Sequence, residues 1–355
     1  MPAIDALLDV LLQHDATDLH LHEDQPPKHR VHGRLVPMPE ASPIGRDEIR
    51  SLLYEICPPN RWAEFQGRGD LDFAYGYGEK ARFRVNFKKH YHGYGAVLRT
   101  IPHHIRTLDE LKAPEVLRTF ATFTSGLCLV TGPTGSGKTT TLAAIIDYIN
   151  LTQRRVILTI EEPIEYVHPL KESTIIQREV PTDVADFAAG LRGALRQDVE
   201  VVLVGEMRDL ETISLAVRAA EMGLLVFGTL HTNNAMKTID RIVDVFPSDQ
   251  QDAIRESLSV ALRAVCSQLL LKRADGKGRV AAHEILIQNR AVSNLIREGN
   301  TPALEQVMMS NRAAGMQFMD DSLQNLLGQK LITGQDAYMK ANDKERFRQF
   351  APALV

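Results

Sequence analysis

Gly132-Pro-Thr-Gly-Ser-Gly-Lys-Thr-Thr140 is the stretch whose residue types can do chemistry. Gly132, Gly135 and Gly137 let the backbone turn tightly and aim N–H groups inward, which is how a chain holds a phosphate. Lys138 adds a cation that can reach β- and γ-phosphates, and the Thr139 hydroxyl is a hard oxygen suited to Mg²⁺. With Pro133, Thr134, Ser136 and Thr140 between and after them, these residues form a candidate site for a nucleoside triphosphate and its Mg²⁺.

Such a loop works only between a strand and a helix. Leu127 to Val130 reads as a buried strand, and Leu142 to Ile149 is apolar at helical spacing, in a helix expected to start near Lys138. Downstream, apolar strands at Val156–Ile160, Val201–Val204 and Leu224–Leu230 alternate with amphipathic helices near 183–197, 209–222 and 234–245. That alternation predicts a parallel sheet with helices on both faces. Strands apolar throughout are those buried on both faces.

Each of these strands ends in polar residues, where open α/β sheets bind ligands. Glu161, Glu162 and Glu165 follow the first, as Mg²⁺ contacts through water or as a solvated acidic loop. Glu206 follows the second and is the candidate catalytic residue, placed to orient or polarise an attacking water. His231 follows the third, to read a γ-phosphate or to serve a structural role.

The first ~100 residues mix helical patterns at Ile4–Leu12 and Ile49–Ile56 with strands at Leu19–Leu21 and Arg30–Val36 and hairpins over Asp70–Ile101, a small α+β domain. Alternation puts Arg82 and Arg84 on one strand face, with Arg99 nearby. They are either solubilising charges or arginines that neutralise a transferring phosphoryl group. Nine of the 12 histidines lie before residue 105, His20, His22, His29 and His32 among them. Lacking accompanying cysteines or dense carboxylates, they read as solvated surface histidines in preference to a metal site. The stretch from 101 to 113 reads as a linker, with the nucleotide-binding domain from 114 to 355.

Composition bounds the rest. The 355 residues are 44% hydrophobic and 24% charged, ordinary for a globular protein. A net charge of −4 gives no basic field for nucleic acid. Cys57, Cys128 and Cys266 are too scattered for a disulfide framework or a four-cysteine zinc site. With no run of about 18 apolar residues and no secretory start, the cytoplasm is the expected compartment.

Five blocks in order resemble the PilT-type ATPases of the type II/IV secretion ATPase superfamily. They are Gly132–Thr141, Ile160-Glu-Glu-Pro-Ile-Glu165, Val204-Gly-Glu-Met-Arg-Asp-Leu-Glu-Thr212, Gly228-Thr-Leu-His-Thr-Asn233 and Thr238-Ile-Asp-Arg-Ile-Val-Asp-Val-Phe-Pro247. Ala16–Leu21 and Asn294-Leu-Ile-Arg-Glu298 extend the likeness over nearly the whole chain. The resemblance implies a homohexameric motor that couples ATP hydrolysis to pilus retraction. It implies a PAS-like α+β domain over 1–100 followed by a RecA-like ATPase domain, with ATP between them. It carries the Walker A role onto Gly132–Thr140, the acidic-box role onto Glu161 and Glu162, the Walker B role onto Glu206, the histidine-box role onto His231, and the arginine role onto Arg82, Arg84 and Arg99. It also implies work at the cytoplasmic face of the inner membrane, on a platform protein of the pilus machine. Glu162, Leu224, Asp198-Val-Glu200 and Val292-Ser293 depart from the usual motifs. An accessory retraction paralogue and an assembly or type II secretion ATPase are the alternative expectations.

Overall fold

A computed structural model describes residues 2–352 apart from Asp15, His32, Glu79, Pro102 and His103. The chain divides into two units, Met1–His104 with Glu162–Val167, and Ile105–Glu161 with His168–Val355.

The first unit contains helices α1 (Ile4–Gln13), α2 (Arg46–Ile56) and α3 (Trp62–Arg68). Its strands are β1 (Asp18–His22), β2 (Lys28–Val31), β3 (Arg34–Pro37), β4 (Asp70–Tyr77), β5 (Ala81–His90) and β6 (Gly93–Ile101). They form one antiparallel sheet in the order β3-β2-β1-β6-β5-β4. Alternation decides its faces. Leu19, Leu21, Phe83, Val85, Phe87 and Leu98 point into a core shared with Ile4, Leu8, Leu11, Ile49 and Leu53. Arg82, Arg84 and Arg99 take the opposite phase, and Arg84 and Arg99 are register partners.

Three features differ from the sequence pattern. Arg30–Val36 is two strands, β2 and β3, reversed at Gly33 with φ of 81°. α3 is a short helix that the pattern did not reveal; it ends at left-handed Gly69. His29 is only 2% exposed and its Nδ1 has no hydrogen-bond partner, so it is a core residue and not a solvated one. His22 is half-buried with its Nδ1 3.4 Å from His90 Nε2. Burial, then the positive charge of Lys88, pulls its pKa down to about 4. Among the described residues no three His, Cys, Asp or Glu are grouped to hold a metal, while His32 lies outside them.

The second unit has a seven-stranded sheet in the order β13-β12-β7-β11-β10-β8-β9. These are β7 (Gly126–Thr131), β8 (Val156–Glu161), β9 (Thr174–Glu179), β10 (Val201–Val204), β11 (Leu225–Leu230), β12 (Leu262–Lys272) and β13 (Arg279–Ile287). Every neighbouring pair is parallel except β12–β13. On one face pack α4 (Val116–Thr122) and α5 (Lys138–Thr152), with Leu108 beneath them. On the other pack α6 (Phe187–Ala194), α7 (Leu210–Glu221), α8 (Ala235–Asp244) and α9 (Gln251–Ala261). Covered on both sides, β7, β10 and β11 are buried at every position, which is why they are apolar apart from Thr131 and Thr229, whose hydroxyls are hydrogen-bonded. α10 (Arg290–Arg297), α11 (Leu304–Ser310), α12 (Met319–Gly328) and α13 (Gly334–Lys340) complete the unit.

Caps set the helix limits. The Asp186 side chain accepts from Ala189 N at 2.6 Å, so α6 begins four residues after the periodic pattern does. Asp209 and Asn234 cap α7 and α8 in the same way. Among the described residues no helix is long and apolar enough to cross a membrane.

Candidate functional site

The order β7-β11-β10-β8 puts four carboxyl strand ends side by side. The glycine-rich loop follows β7, His231 follows β11, Glu206 follows β10, and Glu161 closes β8. The sequence separates these groups by up to about a hundred residues; the parallel sheet gathers them.

The loop's glycines are required by space as well as by dihedral angle. Gly132 has φ of 146°, and a Cβ there would lie 2.3 Å from the Gln268 carbonyl oxygen. Gly137, the N-cap of α5, has φ of 88°, and its Cβ would lie 2.8 Å from Gln268 Nε2. Gln268 itself, buried on β12, donates from Nε2 to Ser136 O at 2.6 Å and accepts from Thr141 Oγ1 at 2.8 Å. Its neighbour Ser267 shares a 2.7 Å hydrogen bond with Thr131, the last residue of β7. These two side chains fix the loop from behind. Neither residue stands out by motif, and the signal they leave is a Ser-Gln pair inside the mostly apolar run Leu262–Leu271.

Lys138 Nζ donates to Gly132 O at 2.8 Å and Pro133 O at 3.3 Å, which holds the ammonium over the loop. Burial lowers its pKa, and the charge of Glu206 opposes that fall. Thr139 is exposed in the first turn of α5, and Thr140 is half-buried. Ser136 is 2% exposed and its Oγ has no partner. An orphaned buried hydroxyl, a helix N-terminus and a lysine around left-handed glycines match the donors a polyphosphate requires.

Glu206 and His231 are brought together directly, with Glu206 Oε1 2.9 Å from His231 Nε2. The backbone sets that distance. Thr229 donates from Oγ1 to Gly205 O at 2.6 Å and accepts at its carbonyl from Met207 N at 3.0 Å, so the ends of β10 and β11 are tied. Arg208 donates to the other carboxylate oxygen of Glu206 at 2.6 Å. Burial pushes the Glu206 carboxyl up, but Arg208 and His231 outweigh it and hold the pKa below the ordinary value. Glu206 is therefore a carboxylate at neutral pH.

The three acidic-box carboxylates have three different surroundings. Glu161 is 7% exposed and its Oε1 accepts from Thr159 Oγ1 at 2.7 Å and Gln177 Nε2 at 3.3 Å. Glu162 is exposed. Glu165 belongs to the first unit, 3.8 Å from Arg84. The Thr139 hydroxyl and the Glu161 carboxylate are hard oxygens, the donor type that Mg²⁺ takes in ones or twos alongside phosphates.

In the first unit Arg82 donates from Nε to Ile164 O at 3.0 Å, and Arg84 lies 4.0 Å from Asp72. Arg99 donates from Nε to Asp18 Oδ1 at 2.8 Å. Burial raises the Asp18 pKa, and the hydrogen bonds from Thr17 and Arg99 more than reverse that. Arg99 thus has a structural partner, whereas the charges around Arg84 are looser.

A P-loop nucleotide-binding α/β protein is what this sheet, loop and carboxylate–histidine pair define. The chain belongs to the type II/IV secretion system protein family, whose profile matches residues 4–349. Its second unit is the RecA-like ATPase fold and its first is the smaller PAS-like α+β domain. A twitching motility protein of Neisseria gonorrhoeae is 50% identical over 321 residues, 90% of this chain and 85% of the relative. The type IV pilus retraction ATPase PilT of Pseudomonas aeruginosa is 46% identical over 346 residues, 97% of this chain and 99% of the relative. The crystal structure of the pilus retraction motor PilT with bound ADP superimposes with a TM-score of 0.90 at 40% identity, over 98% of this chain and 99% of that one.

Proposed function

We propose that this chain is an ATP-hydrolysing motor that drives retraction of a type IV pilus. It works as a homohexamer on an inner-membrane platform protein at the cytoplasmic face. The observation that carries the reading is the ionised Glu206 hydrogen-bonded to His231 at 2.9 Å, at the ends of adjacent strands β10 and β11, the second of which pairs with the strand leading into the glycine-rich loop. Retraction as the output follows the named activities of the relatives with 46–50% identity, which span nearly the whole chain.

The chemistry divides among the residues. The loop from Gly132 to Thr140 binds the phosphates through backbone N–H groups, and Lys138 neutralises charge on the β- and γ-oxygens. Mg²⁺, when bound, would neutralise further charge on those oxygens, with Thr139 as its protein ligand and Glu161 and Glu162 acting partly through water. Glu206 accepts a hydrogen bond from the attacking water and orients it in line with the phosphorus–oxygen bond that breaks. His231, held by Glu206, faces the same phosphate and reports its presence. Arg82, Arg84 and Arg99 are the arginines proposed to stabilise the phosphoryl charge.

The test has two arms. Phosphate release by purified protein should be ATP-dependent and should disappear in Glu206→Gln. A strain lacking the chain should keep or overproduce surface pili while losing twitching. Bald cells restored by the wild-type chain would replace retraction with assembly, and absent turnover in well-folded wild-type protein would replace the motor with a binding ring.

A further inference from the structure

We propose that Glu284 is a positioning residue that fixes the His231 segment relative to the phosphate loop and ties both to the C-terminal helices. The inference rests on the reading of Glu206 and His231 as the hydrolytic pair. Glu284 lies on β13, is 2% exposed, and is not among the groups assigned to the reaction. Its Oε1 accepts from Ala235 N at 2.9 Å and its Oε2 from Met319 N at 3.4 Å. Those two N–H groups begin α8 and α12.

A buried carboxylate is expensive unless something compensates it. Here the first N–H groups of two helices, whose N-termini carry partial positive charge and lack intrahelical acceptors, donate to its two oxygens. Both helices depend on it locally. The Asn234 side chain caps α8 at Lys237 N and leaves Ala235 N for Glu284. α12 has no side-chain cap at Phe318.

The placement gives this clamp a consequence. Ala235 is four residues beyond His231, so the start of α8 sets where the His231 segment ends. Directly across the β12–β13 ladder from Glu284 is Ser267, whose hydroxyl holds Thr131 just before Gly132. The next residue, Gln268, holds Ser136 and Thr141. One hairpin therefore references the phosphate loop through β12 and the His231 segment through β13. α12 hangs from the same carboxylate. Burial raises the proton affinity of Glu284, and the two backbone N–H groups resist that change.

The experiment measures ATP turnover for Glu284→Ala, Glu284→Gln and His231→Ala, and for Glu284→Ala combined with His231→Ala. Glu284→Ala should lower kcat by about tenfold or more with KM for ATP within about threefold, since position and not binding is lost. Glu284→Gln keeps an acceptor oxygen and should recover at least about half of the wild-type kcat. In the His231→Ala background, Glu284→Ala should cost less than about twofold more, because the two residues act through one step. Equal losses in both backgrounds, unchanged kcat, or a rise in KM alone would overturn the inference. If Glu284→Ala does not fold, Glu284→Asp, with a shorter reach, is read by the same criteria. Glu206→Gln run in parallel separates the two levels. Retained turnover there defeats the hydrolytic reading, whereas its loss beside a fully active Glu284→Ala defeats only the clamp.

Discussion

Lys138 is half-buried and its charged Nζ donates to two carbonyls of its own loop. Lys138→Ala should therefore abolish ATP turnover while leaving the melting temperature within about 2 °C of wild type, as expected for a change outside packed regions. Near-normal turnover in folded Lys138→Ala protein would move the site elsewhere. Glu206→Gln is the complementary change. The amide keeps the shape but not the charge that orients water, so ATP binding should persist while turnover falls by roughly 10²–10⁴. Binding isotherms and steady-state phosphate release read the two halves separately. The arginines make a third case. Arg99 is held at 2.8 Å by Asp18, whereas Arg84 pairs with Asp72 and Glu165 at the longer distances of 4.0 and 3.8 Å. Arg84→Ala should reduce turnover by about 10³ or more, the scale of an arginine that stabilises phosphoryl charge. Arg99→Ala should in addition lower stability, because it leaves buried Asp18 with a weaker partner. Full activity in Ala variants of Arg82, Arg84 and Arg99 alike would remove the N-terminal arginines from the chemistry.

At the scale of elements, β12 supplies the groups behind the loop. Gln268→Ala would leave the Ser136 carbonyl and the Thr141 hydroxyl without their buried partner, at a cost of about 1–3 kcal/mol for each group left unpaired. A lower melting temperature and a raised KM for ATP should appear together, and unchanged values for both would mean that the loop is held by other contacts. β12 was also the least legible strand. α9 runs into it at Leu262 with neither Gly nor Pro between, so the apolar pattern carries no boundary there. β9 was hidden for a different reason. It is an edge strand with exposed Thr174 and Ile176, and lacks the continuous apolar run of a buried one. β7, β10 and β11 were plain because burial on both faces leaves nearly continuous apolar runs and an abrupt polar end. The glycine-rich loop, Glu206 and His231 were visible at those ends. The Glu206–His231 contact was not, since it depends on strand order. The unusual Val292-Ser293 also finds an account in packing: Val292 is fully buried and Ser293 Oγ donates to Ser259 O at 2.7 Å.

Acid stability belongs to the whole molecule, because it sums over histidines in both units. Burial is the leading cause that lowers the pKa of His168 and His283 in the second unit, and of His22 in the first, to about 4. An unfolded chain titrates its histidines near 6.5. Between those values the unfolded state binds protons that the folded state refuses, so stability falls as pH drops from about 6.5 towards about 4. For fully buried His283 the loss between pH 7 and pH 5 is about 2 kcal/mol. Glu284 works in the opposite direction at the acid end, since burial raises its pKa and folding favours its protonated form. One carboxyl does not cancel three histidines in this window. The urea midpoint followed by far-UV circular dichroism should therefore drop clearly between pH 7 and pH 5. In His283→Leu, which has no ring to protonate, the drop should be smaller by about the same 2 kcal/mol. A wild-type midpoint that does not move, or a Leu variant that moves as far as wild type, would show that these histidines are charged within the fold.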